Sequence, residues 1–89
     1  ETSSAQEPAK DQFTVAPTPA LDVMRIQAER EDLITDWQLV DMQGKVMRER
    51  RGINVQNDFI RRKGLASGQY ILRVRFASDR MQSKLVIFQ

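Results

Sequence analysis

Two clusters of charged side chains and one tryptophan are the residues of this 89-residue chain that could do chemistry. Arg48, Arg50, Arg51, Arg61, Arg62 and Lys63 flank Gly52, with Glu49 and Asp58 between them. A basic face of this kind can hold the phosphate groups of lipopolysaccharide or nucleic acid. The few aromatic residues lie in apolar alternation rather than among these charges, so no platform for base stacking forms and nucleic acid is not an expected partner. A solvated β surface is the plainer expectation for the cluster. Glu29, Glu31 and Asp32 could suggest a calcium loop, but the spacing and the glycine of an EF-hand are missing, which leaves a solvated turn. Trp37 shares its alternation with Leu39 and is expected in the core rather than on a binding surface.

Composition narrows the chemistry further. The chain has no histidine and no cysteine. That removes the commonest metal ligand and general base, and it removes any disulfide framework. No nucleophile with an adjacent base can be pointed to, so catalysis, a cofactor and a metal are not expected. The formal net charge of +2 is too mild to compel a membrane surface or a nucleic acid as partner. No apolar run is long enough to cross a bilayer, and no signal peptide opens the sequence. Because it starts at Glu1 rather than Met, the sequence reads as a piece of a longer chain whose export signal would lie upstream.

The elements that position these residues are short strands. Residues 1–12 are small, polar and acidic-leaning with no bulky apolar side chain, so they read as a flexible linker. From residue 13 the apolar positions recur with period two and turn formers interrupt them, which predicts one domain over 13–89 and no helix of ordinary length. Phe13 and Val15 open a first edge strand that Pro17 and Pro19 end. A second strand is expected over 21–28, with Met24 and Ile26 on one face and Leu21 and Val23 on the other. A third covers 35–42 and alternates Trp37 and Leu39 against Gln38 and Val40. Asp41 can bond its own backbone and Gly44 accepts positive φ, so a hairpin should lead into a fourth strand over 45–51. Ile53, Val55, Asn57 and Phe59 mark a fifth. Residues 69–76 place Tyr70, Leu72, Val74 and Phe76 on one face and Arg73 and Arg75 on the other. A seventh strand runs over 81–88.

About seven short strands with regular turns fit an all-β, antiparallel β-sandwich of immunoglobulin-like topology. Leu65, Gly68 and Tyr70 have the spacing of a corner between sheets. There, a tyrosine at a strand start bonds back to upstream backbone while a nearby leucine packs inward; a leucine, a loop glycine and an ordinary core tyrosine would read the same way. The last strand is unusual: Leu85, Val86, Ile87 and Phe88 are all apolar, which predicts hydrophobic side chains on both faces. Either the domain buries all of them, or an apolar edge is left to dock on a partner or pair with a second copy.

In order along the chain stand Pro17 and Pro19 around Thr18, Asp41 with Gly44 and Lys45, Leu65 with Gly68 and Tyr70, and the run Lys84, Leu85, Val86, Ile87 before the end at Gln89. This ordered set resembles the C-terminal sorting domain of the bacterial type IX secretion system, over about residues 13–89. One position departs: the family's first motif usually reads Pro-Asn-Pro, and residue 18 is Thr, which caps a turn more weakly through its hydroxyl. The resemblance implies a function of address. Such a domain ends a secreted cargo, folds in the periplasm as an immunoglobulin-like sandwich, and binds the outer-membrane translocon and its shuttle protein on the way to the cell surface or the medium. It further implies that a surface sortase can cut near the domain's N-terminal boundary and join the cargo to an anionic lipopolysaccharide. On this chain the cut would fall in or before residues 1–12, where Ser3, Ser4 and Ala5 mark the candidate processing region. A generic immunoglobulin-like binding or spacer module is the alternative.

Overall fold

The computed structural model describes residues 12–29 and 31–89. Its strands are β1 (Phe13–Ala16), β2 (Val23–Ala28), β3 (Ile34–Asp41), β4 (Val46–Arg50), β5 (Asn57–Arg61), β6 (Gly68–Phe76) and β7 (Met81–Phe88). They form a three-stranded sheet in the order β1-β2-β5 and a four-stranded sheet in the order β4-β3-β6-β7, with every strand pair antiparallel. No helix occurs among the described residues. The chain crosses between sheets on going from β2 to β3, from β4 to β5 and from β5 to β6, the Greek-key connectivity of immunoglobulin-like sandwiches.

Alternation dictates the core. Met24, Ile26 and Ala28 of β2 and Ile60 of β5 face Trp37 and Leu39 of β3, and Leu72, Val74 and Phe76 of β6, all buried in one apolar cluster. Phe13, Val86 and Phe88 belong to the same cluster, so both edge strands β1 and β7 contribute to it. Their burial removes large apolar side chains from water, the main stabilising term for a domain with no disulfide.

Polar contacts close the two open flanks of the sandwich. Between β4 and β5, Trp37 donates from Nε1 to Asp58 Oδ2 at 2.9 Å, and Arg50 Nη1 donates to both oxygens of the same carboxylate at 3.0 and 2.9 Å. Trp37 is therefore a core residue with its polar atom satisfied at the flank, at 4% exposure. Between β1 and β7, the Gln12 N–H donates to Gln82 Oε1 at 2.7 Å and the Lys84 ammonium sits 5.2 Å from the centroid of the Phe13 ring. Gln12, which sequence alone groups with the linker, is thus buried in the sandwich.

Two expectations are corrected. The strand expected over 21–28 begins at Val23, and Leu21 is 65% exposed. Ala20 gives its backbone bonds to the far edge, donating to Ile87 O and accepting from the Gln89 N–H, so Leu21 and Asp22 are spent crossing back to β2. The fifth strand does not carry the alternation from Ile53 through Phe59. Val55 bridges Ile34 of the four-stranded sheet, whereas Asn57 pairs with Gln27 of the other. The chain changes sheet at Gln56 and its parity flips, putting Ile60 in the core and leaving Phe59 47% exposed opposite Arg25. The last strand is apolar on both faces, as the run from Leu85 to Phe88 predicts. Val86 and Phe88 are buried at 0% and 1% exposure, while Leu85 is 51% exposed on the outer face.

Candidate functional site

Most of the residues singled out from sequence meet at one end of the sandwich, whereas Lys84 and Leu85 lie further along β7. Asp41 Oδ1 accepts from the N–H groups of Gln43 and Lys45, both at 2.9 Å, and Gly44 takes φ +93°. The β3–β4 hairpin is thereby locked by the side chain and glycine that its sequence required, while Lys45 contributes its backbone and leaves its side chain exposed. Across the sheet, Asp41 pairs with Tyr70 at the start of β6. The Tyr70 hydroxyl donates to the Ala66 carbonyl at 2.6 Å, Leu65 is buried in the core, and Gly68 has φ +145°. The tyrosine corner is formed as the Leu65, Gly68, Tyr70 spacing predicts.

The end of β7 reaches the same place, because Phe88 pairs with Gly68 and Ile87 with Gln69. The prolines come with it. Pro17 and Pro19 are exposed in the β1–β2 connection, and between them the Thr18 hydroxyl accepts the Ile87 N–H at 3.1 Å. Ala20 then runs parallel to Phe88 as an isolated bridge. Thr18 does not cap a local turn. Its oxygen satisfies an edge donor of the final strand.

Arg62 ties these pieces together, and its role was hidden in the basic stretch. Its Nε donates to Leu65 O at 2.9 Å, its Nη1 to Leu21 O at 3.0 Å and to Gln89 O, and its Nη2 to Ser67 Oγ at 2.8 Å. The guanidinium also lies 5.9 Å from the centroid of Phe88. One planar fork thus joins the corner loop, the β1–β2 connection and the last residue of the chain. Arg48 behaves similarly, donating to the carbonyls of Met47, Arg62 and Lys63. With Arg50 held by Asp58, the cluster 48–63 is not one free basic face. The acidic turn is likewise engaged: Glu29 accepts from the Thr14 hydroxyl and Asp32 from the backbone and hydroxyl of Ser78. The only available sequence signal for Arg62 was a charge beside a turn glycine, which does not distinguish a clasp from a solvated side chain.

Comparison with protein-family descriptions matches residues 7–88 to the secretion system C-terminal sorting domain. The chain belongs to this family. As a type IX sorting domain it is a signal for export through that secretion system. Comparison with curated proteins gave no match. Among solved structures, the sorting domain is similar to CopC from Methylosinus trichosporium OB3b at 12% identity, with 85% of this chain and 90% of that one covered and a TM-score of 0.47.

The outer face of the four-stranded sheet completes the sorting domain's surface. Val46, Val40, Ile71 and Leu85 stand side by side in register across β4, β3, β6 and β7. Val40 is buried at 1% because it stands in the central strand between Val46 and Ile71, and the β-bulge at Leu39 and Val40 brings Val46 into that row. Ile87 lies one step further toward the motif end, half-buried. Lys84 points inward over Phe13, a charged side chain that discourages another strand from adding to this edge. Ser3, Ser4 and Ala5 lie outside the described residues.

Proposed function

We propose that this sorting domain moves its parent protein across the outer membrane by presenting the motif end of the sandwich to the translocon and its shuttle protein. The observation that supports it is the convergence of Pro17 to Pro19, Asp41 to Lys45, Leu65 to Tyr70 and the end of β7 on one end, where Arg62 ties the corner loop to Leu21 and Gln89. Asp41, Gly44, Leu65, Gly68 and Tyr70 are used to build that end, while Pro17, Pro19 and Lys45 are exposed on it. A partner therefore reads a shape, made of the β3–β4 hairpin, the corner loop and the Gln89 backbone, more than a set of free side chains. The parent would be in the periplasm when the domain folds and on the cell surface or in the medium afterwards.

Processing belongs to the same proposal. A surface sortase would cut within residues 1–12, with Ser3, Ser4 and Ala5 as candidate positions, and transfer the cargo to an anionic lipopolysaccharide. Self-association through β7 is disfavoured by Lys84 and by the Thr18 to Ala20 segment along its far end.

Site-specific photo-crosslinking in a type IX-competent bacterium tests the orientation. Gln69 lies at the motif end and Ser78 at the opposite end, both exposed. A photoreactive residue at Gln69 should trap an outer-membrane component of the secretion system, and one at Ser78 should not. Trapping from Ser78 with none from Gln69 would contradict the proposal.

A further inference from the structure

The outer face of the four-stranded sheet holds a second arginine group that the sorting motifs do not use. Arg73 and Arg75 stand two residues apart on β6, so their side chains leave the same face about 7 Å from each other. With Arg51, just beyond β4, they line a cleft of about 300 Å³ floored by Gln38 and Met81. These arginines are weakly engaged. Arg75 Nη1 is 3.8 Å from Asp79, whose side chain is 87% exposed, and Arg51 Nε is 3.4 Å from Glu49. Arg73 makes no side-chain hydrogen bond or ion pair among the described residues. The cleft's one carboxylate, Asp36, is occupied elsewhere, accepting the Gly52 N–H at 3.2 Å and the Thr35 hydroxyl at 3.0 Å. Three guanidiniums thus share one lining carboxylate and two long, exposed ion pairs, an excess of positive charge in a residue type whose planar fork suits a tetrahedral oxyanion.

What adjoins the cleft identifies the kind of anion. The row of Gln38, Arg73 and Ser83 is followed immediately by the apolar row of Val40, Ile71 and Leu85. Leu85 at the open end of that row is 51% exposed. Among the described residues no aromatic side chain lies open beside the arginines, since Trp37 is 4% exposed, and a nucleic-acid base would find nothing there to stack on.

We propose that Arg51, Arg73 and Arg75 form a binding site for a phosphate group, and that the adjoining apolar row makes the carrier an amphiphile with its chain laid over Leu85 and the half-buried Ile71. The inference stands on the outer face alone and does not rest on the sorting role.

The test uses the full 89-residue chain with two probes: inorganic phosphate, and vesicles of phosphatidylcholine with or without phosphatidic acid. The protein should float with phosphatidic acid vesicles and not with phosphatidylcholine alone. Arg73→Gln should weaken that binding about tenfold, Leu85→Ser should weaken it as well, and Arg61→Gln, on the other sheet, should leave it unchanged. Unaltered thermal melts of these variants show that the fold is intact. Binding of inorganic phosphate that depends on Arg73, without vesicle binding, keeps the phosphate site and overturns the amphiphile. Binding of neither probe, or equal loss in Arg61→Gln and Arg73→Gln, overturns the site itself.

Discussion

Arg62→Met keeps most of the side-chain stem and removes all five donors, so it isolates the clasp at the motif end. The bond to Leu65 O is part-buried, and such a bond contributes about 1 kcal/mol. Those to Leu21 O, Gln89 O and Ser67 Oγ are exposed and contribute about 0.5 kcal/mol each, at the low end for protein hydrogen bonds. The contact with the Phe88 ring adds about 0.5 kcal/mol. Against this, fixing an arginine side chain costs up to about 2 kcal/mol of rotamer entropy, which the methionine variant largely escapes. The net loss is about 1 kcal/mol, and for a domain of this size that lowers Tm by about 4–8 °C. Thermal unfolding followed by circular dichroism reads it directly, with Arg61→Met as the matched control. Arg61 is exposed and makes no side-chain bond among the described residues, so its replacement should change stability by less than about 0.5 kcal/mol. Amide exchange should also speed up at Ala20 and Gln89, whose N–H groups donate to Ile87 O and Ala20 O beside the clasp. A Tm loss in Arg62→Met no larger than in the control would refute the clasp.

Tyr70→Phe removes the donor to Ala66 O and should cost about 1 kcal/mol in a urea melt with the slope of the transition unchanged. Trp37→Phe and Arg50→Gln both act on Asp58, so a double-mutant cycle should give a coupling of at least about 0.5 kcal/mol, and additivity would mean the flank contact is idle. Leu39→Ala, at 0% exposure, should cost about 2–5 kcal/mol and come close to unfolding the domain, whereas Leu85→Ala on the outer face should barely move the midpoint.

Local chemistry made much of this fold legible in the sequence. Asp41 and Gly44 specify their hairpin through bonds that close within a few residues, and Leu65, Gly68 and Tyr70 specify their corner in the same way. Trp37, Leu39, Leu72 and Val74 announce their burial by alternation because they lie in strands flanked on both sides. What alternation does not report is the sheet a strand belongs to. At Gln56 the chain leaves one sheet for the other, and Phe59 and Ile60 exchange the roles that an unbroken strand would give them. The final strand is legible in part: its two apolar faces show in the run from Leu85 to Phe88, but the apolar row that Leu85 joins on the outer face is revealed only by the registers of β3, β4 and β6. Arg62 is the clearest case: its acceptors lie as far as 41 residues away, and nothing local to it records them.

The central claim is that these residues act as an export address whose working end is the converged motifs. Fusing residues 1–89 to an inert reporter in a type IX-competent bacterium and measuring surface or released reporter against periplasmic reporter tests it most directly. The account predicts export of the fusion, together with reduced export for a folded Arg62→Met variant. Reporter that stays in the periplasm with the domain folded and uncut would contradict it.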